Sequence, residues 1–124
     1  MKWLDRDVGA IGPYLALCLS EAEYKDALRR LKVHPDSDWC PSEGGRTWTF
    51  TRDNGHTSCV VCLSGDGNHG PIEIAAMLVH EAVHVWQVYA ESIGETNPGK
   101  EQEAYAIQKI SQRLMAEYAR RLNT

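Results

Sequence analysis

A chain of 124 residues with a formal net charge of −4 is the size of one compact domain, long enough to bury a moderate core. The acidic balance and the lack of any Lys/Arg run argue against a nucleic-acid partner; Arg29-Arg30 and Arg120-Arg121 are isolated pairs, expected on solvated helix faces. Asp5, Arg6 and Asp7 interrupt the N-terminus and the apolar piece from Leu15 to Leu19 is short, so no secretory signal is expected and the location expected is cytoplasmic.

In chain order, residues 1–19 are mixed, with Gly9, Gly12 and Pro13 breaking regularity; a short strand or an ordered arm, one that could cover a cleft, fits them. Ser20-Glu21-Ala22-Glu23 has the spacing of a capping box and opens a helix through Ala27, Leu28 and Leu31 to about Val33. Pro35 to Gly45 reads as a loop. Thr47-Trp48-Thr49-Phe50-Thr51 alternates strictly, Asp53-Asn54-Gly55-His56 is a turn signal, and Thr57 to Leu63 is a β-branched, apolar strand, so the three together predict a hairpin. Within the second strand Cys59 and Cys62 have the C-x-x-C spacing of zinc ribbons and redox pairs, but on a strand residues i and i+3 face opposite ways. Ordinary reduced cysteines are therefore expected of Cys18, Cys40, Cys59 and Cys62.

Ser64 to Gly70 leads into the most informative segment. Pro71 suits a first helical turn, with Gly70, His69 or Asn68 before it as caps. From Ile72 to Tyr89 the helix is apolar almost throughout, which predicts burial on all sides, and His80, Glu81, His84 and Gln87 near its middle speak against a membrane span. His80-Glu81-Ala82-Val83-His84 reads H-E-x-x-H. Two histidines four apart on a helix lie ~40° apart around the axis, so both imidazoles can reach one metal ion. Glu81 stands beside them, where it can take a proton from a water that the metal activates. The pattern arises by accident in on the order of one chain of this length in a few hundred.

Gly94 to Gly99 breaks the helix, and a last helix runs from about Lys100 to Leu122 with an apolar stripe of Ile107, Ile110, Leu114 and Tyr118. Glu103 extends that stripe one turn upstream and so faces the core; Glu101 falls on a polar side. A catalytic zinc wants three protein ligands and one open position. Glu103 is the expected third ligand beside His80 and His84, with Glu101 the alternative. Trp39, Trp48 and Trp86 are expected in the core or cleft walls; Tyr105 is expected to pack in the core, with donation to an oxyanion the alternative. His56 and His69 are expected on surface loops, with a fourth ligand or transition-state donor the alternative.

H-E-x-x-H followed, after a short turn, by a helix carrying Glu101-Gln102-Glu103-Ala104-Tyr105-Ala106 resembles the gluzincin metallopeptidases, and the short chain resembles their minimal members, the minigluzincins. Trp3-Leu4-Asp5-Arg6-Asp7-Val8, Cys18-Leu19-Ser20-Glu21, Val79 to Gln87, Ser92-Ile93-Gly94-Glu95 and Glu103 to Gln108 are similar to small phage and prophage proteins. The resemblance implies a single zincin-like domain over residues 1–124, a Zn²⁺ cofactor, a peptide or protein substrate, and a phage or host protein as a further partner. It also implies that the strand from Thr57 to Leu63 is the sheet edge that aligns an extended peptide; on the residues alone, a plain core strand is an equal alternative. The expected fold class is α+β: an N-terminal helix, a small antiparallel sheet, then the H-E-x-x-H helix and a C-terminal ligand helix. The expected activity is zinc-dependent peptide hydrolysis with Glu81 as general base. The alternative is a non-catalytic, zinc-stabilised or phage-associated binding module.

Overall fold

A computed structural model describes residues 3–4, 14–33, 39, 44–51, 57–64, 69–95 and 97–122. The elements are β1 (Trp3–Leu4), β2 (Tyr14–Cys18), α1 (Glu21–Arg30), β3 (Gly45–Thr51), β4 (Thr57–Leu63), α2 (Pro71–Ser92) and α3 (Lys100–Leu122). The fold is α+β, as the order of periodicities predicts.

The strands form one sheet in the order β1-β2-β4-β3. The β3–β4 hairpin is antiparallel, in the register Gly45↔Leu63 to Thr51↔Thr57; the turn predicted between them, residues 52–56, lies outside the described residues. β2 pairs in parallel with β4, from Tyr14↔Ser58 to Cys18↔Cys62, and β1 pairs antiparallel with β2. The sheet is thus mixed rather than purely antiparallel. β4 is consequently an inner strand, flanked on both sides, and it is buried along its whole length. A near-continuous apolar run suits such a strand, whose two faces are both covered.

Alternation along the strands divides the interior in two. Leu15, Leu17, Cys59, Val61 and Leu63 face α2 and α3, where Leu78, Val85, Trp86, Ile110 and Leu114 complete the larger core. Cys18, Val60 and Cys62 face α1, packing with Tyr24, Ala27 and Leu28. Trp39 and Trp48 lie on Tyr24, with ring centroids 5.9 and 6.2 Å away. Cys59 and Cys62 therefore belong to different cores. Cys18, Cys59 and Cys62 are buried and none is joined to another described cysteine, and burial pushes the Cys18 and Cys59 thiols up to about 12. Cys40 lies outside the described residues.

Half of the predicted capping box forms at α1: the Ser20 hydroxyl accepts from Glu23 N–H at 3.2 Å, but the Glu23 carboxylate accepts from Leu19 N–H, one residue before the cap, at 2.8 Å. That carboxylate has a second, distant partner. Arg121, near the end of α3, donates to Glu23 and, at 3.5 Å, to the Leu17 carbonyl; Arg120 donates to buried Glu117 through two nitrogens, at 2.8 and 2.7 Å. Arg29 and Arg30 do lie on a solvated face beside Asp26. Arg121 does not: its side chain is only 15% exposed, and it ties α3 to α1 and β2. Burial alone would raise the Glu23 carboxyl, but hydrogen bonds from Arg121 and the Leu19 N–H, with the Arg121 charge, hold it at about 2 instead of 4.5. A carboxyl with a depressed folded value stabilises the fold above its ordinary value and loses that contribution as pH falls from about 4.5 to about 2. Arg121→Met should lower stability by about 1.5–3 kcal/mol at neutral pH and flatten the loss across that window. Thermal melts between pH 7 and 2 check this; an unchanged slope in the variant would refute the tie.

Candidate functional site

α2 begins as its sequence predicts. Gly70 is the N-cap, Pro71 the first residue, and the Glu73 carboxylate accepts from Gly70 N–H at 3.4 Å and contacts His69 Nδ1 at 3.1 Å. The helix is not buried on all sides. Ile74, Leu78, Glu81, Ala82, Val85, Trp86 and Tyr89 make the inward face, whereas Ile72 is 84% exposed and Val79, His80, His84 and Gln87 are exposed too. The reason is the three-layer arrangement: only one side of α2 meets the sheet and α3. No described helix is long and apolar enough to cross a membrane.

His80 and His84 come together as the i,i+4 spacing requires. Their ring centroids are 4.9 Å apart in an edge-on arrangement, and the His80 side chain is 69% exposed. Gln87 Oε1 stands 3.1 Å from His84 Nδ1. In the tautomer with Nδ1–H donating to Gln87, His84 Nε2 keeps the lone pair that a cation would use. Glu81 lies at the inner border of this pair and is only 4% exposed. Its Oε1 accepts from the Thr47 hydroxyl at 2.8 Å, and its Oε2 is 3.9 Å from His80 Nε2.

Thr47 belongs to β3, the outer strand of the described sheet on this side. The edge beside the histidines is therefore β3, not the strand from Thr57 to Leu63, which is interior. A groove runs between β3 and α2. One stretch of it, about 340 Å³, is lined by Gly44, Gly45, Ala76, Met77, His80 and Glu81. The next, about 310 Å³, is lined from β3 by Gly45, Arg46, Thr47 and Thr49 and from α2 by His80, Glu81, His84 and Val88. Glu81 borders both. Thr47 and Gly45 are functional candidates that sequence reasoning missed; the only local signal was that Thr47 shares a strand face with Thr49, and no periodicity says which helix that face meets.

Glu103 is half-buried, as its place above the apolar stripe predicts, but its Oε2 accepts from the Trp86 indole N–H at 2.8 Å. Trp86 is two residues beyond His84, hence ~200° around the helix axis, and Glu103 is held towards that side. Among the described residues no three His, Cys, Asp or Glu side chains converge on one point. The two imidazoles thus fit a cation as a donor pair, and Glu103 does not complete the set in this arrangement. Glu101 is exposed. Tyr105 is 62% exposed rather than packed in the core, because it sits on the outer side of α3. His69 contacts Glu73, and His56 lies outside the described residues.

Of the N-terminal segment proposed as a covering arm, residues 14–18 are an integral strand on the far side of β4 from β3; residues 5–13 lie outside the described residues. Compared with protein-family models, with curated proteins and with solved structures, the chain matches none.

Proposed function

We propose that the protein is a zinc-dependent peptidase of gluzincin type, acting on a peptide or protein segment laid in the groove between β3 and α2. The observation that carries this reading is a nearly buried carboxylate, Glu81, bordering two surface imidazoles that share an open groove. A carboxylate costs several kcal/mol to bury without compensation, and one hydroxyl with an imidazole 3.9 Å away is modest compensation. A cation on the groove side would supply the rest.

His80 and His84 would hold that ion, with Glu103 the third donor once it turns from Trp86. Zinc bound there supplies Lewis acidity, which polarises a carbonyl and makes a water easier to deprotonate. Glu81 takes the proton of the attacking water and returns it to the leaving nitrogen. The outer edge of β3, which no described strand pairs, offers backbone groups to an extended chain, so hydrogen bonds independent of side chains orient the substrate. The groove wall of Gly44, Gly45, Ala76 and Met77 presents little charge, which suits small or apolar side chains. A cytoplasmic location and a phage or host protein as substrate or partner belong to the same proposal.

The alternative is a non-catalytic zinc or phage-associated binding module, and one observation favours it: with Glu103 hydrogen-bonded to Trp86, only two donors stand together among the described residues. Against a fold-holding zinc, both imidazoles stand at the surface, and the larger core closes through apolar contacts without them. Metal analysis of the purified protein, then cleavage of an unbiased peptide library, tests the reading. About one zinc per chain and cleavage abolished by chelation are expected. Bound zinc with no cleavage of any peptide would favour the alternative.

A further inference from the structure

The two oxygens of Glu81 have different surroundings. Oε1 is engaged by Thr47 at 2.8 Å, while Oε2 lies on the His80 side, 3.9 Å from Nε2. Two residues before Thr47, on the same face of β3, stands Gly45. A Cβ placed there would lie 3.3 Å from both Cγ and Oε2 of Glu81 and 3.1 Å from the Cys62 carbonyl oxygen. Those contacts are tight. The oxygen belongs to the backbone of β4, paired with β3 at this position, and cannot swing away. The strand thus meets the carboxylate with an absent side chain at one position and a hydroxyl at the next on that face.

We propose that Gly45 and Thr47 are positioning residues that set the carboxylate plane of Glu81, tying up Oε1 and keeping Oε2 as the oxygen that works in the groove. This rests on the reading of Glu81 as the general base. Threonine suits the task because branching at Cβ restricts χ1, so its hydroxyl is held in one direction by the strand itself. With Oε1 held, the remaining freedom of Glu81 is rotation that would break a hydrogen bond to a charged acceptor, among the stronger kinds. Gly45 admits the carboxylate close to β3; any side chain there would push it towards the middle of the groove.

The test uses Thr47→Val, which keeps the shape and loses the hydroxyl, and Thr47→Ser, which keeps the hydroxyl. On a peptide that the wild type cleaves, Thr47→Val should lower kcat by about 10–100-fold with KM and zinc content unchanged, since misplacement by ~1 Å can cost 10²-fold. Thr47→Ser should return kcat to within about threefold of wild type. A readout independent of turnover comes from metal-free protein. The Tm losses of Thr47→Val and Glu81→Leu should together exceed that of the double variant by roughly 3–6 °C, because the first change already removes what the second would break. Additive Tm losses would mean that the hydrogen bond is not made, and the proposal would fall. Non-additive losses with an unchanged kcat in Thr47→Val would make the contact structural and also overturn it. If the wild type cleaves nothing, the reading of Glu81 as a base fails and takes the positioning role with it, while the Tm cycle still reports the Thr47–Glu81 bond.

Discussion

Glu81→Gln should lower peptide hydrolysis by about 10²–10⁴-fold, the range that a positioned proton acceptor contributes, while zinc content and fold are retained. The change is nearly isosteric. The amide oxygen can still accept from Thr47, so the link to β3 survives. What disappears is a basic oxygen, since an amide cannot take and return a proton at neutral pH. Substitution also removes a charge from a site that is only 4% exposed, so the Tm should stay level or rise. Steady-state kinetics, zinc content and a thermal melt on the same preparation separate these effects. Full activity on a cleaved peptide would sink the mechanism.

The second large effect concerns Glu103, for which two roles compete. As the acceptor of the Trp86 indole N–H it is a structural partner; as a third donor it is part of the metal site. Glu103→Gln distinguishes them, because an amide oxygen accepts from an indole almost as well but is a poor partner for zinc. If Glu103 is a ligand, this variant should keep its Tm and lose more than about 100-fold in zinc affinity, beyond the 10–100-fold typical of an outer partner. Glu103→Ala should lose the zinc as well and, in addition, about 1–3 kcal/mol of stability, because the Trp86 N–H is left unpaired in a residue buried at 2% exposure. Glu101→Ala should alter neither, since Glu101 is exposed on the other side of α3. Wild-type zinc affinity in Glu103→Gln would assign Glu103 to Trp86 alone, and zinc loss in Glu101→Ala would move the third ligand there.

Local chemistry in this sequence was legible where one element suffices. The Ser20 cap of α1, the Gly70-Pro71 start of α2, the alternation from Thr47 to Thr51 and the adjacency of His80 and His84 each depend on a few neighbouring residues. What stayed hidden depends on partners far along the chain. An apolar run such as Thr57 to Leu63 is compatible with an edge or an inner strand, and only the pairing with β2 decides. The stripe on α3 puts Glu103 on the inward side, yet does not say whether histidines or an indole await it. Arg121 reads as a surface residue until Glu23, at the other end of the chain, is brought beneath it. Apolar length overstated the burial of α2 for the same reason: composition reports how greasy a helix is, not how many neighbours it has.

The parallel pairing of β2 with β4 also orders events during synthesis. β2 leaves the ribosome before β4, so the strand that completes its hydrogen bonds does not exist until residues 57–63 have been made. The β3–β4 hairpin needs only a short loop to close and can form as soon as it emerges, whereas β2 must bring its end of the chain back across α1 and β3. Until then the inner edge of β4 is open and apolar, and a second nascent chain could take the place of β2. The groove between β3 and α2 lies on the opposite side of that seam, so substitutions in Tyr14–Cys18 should reduce the yield of folded protein well before they alter what the folded protein does.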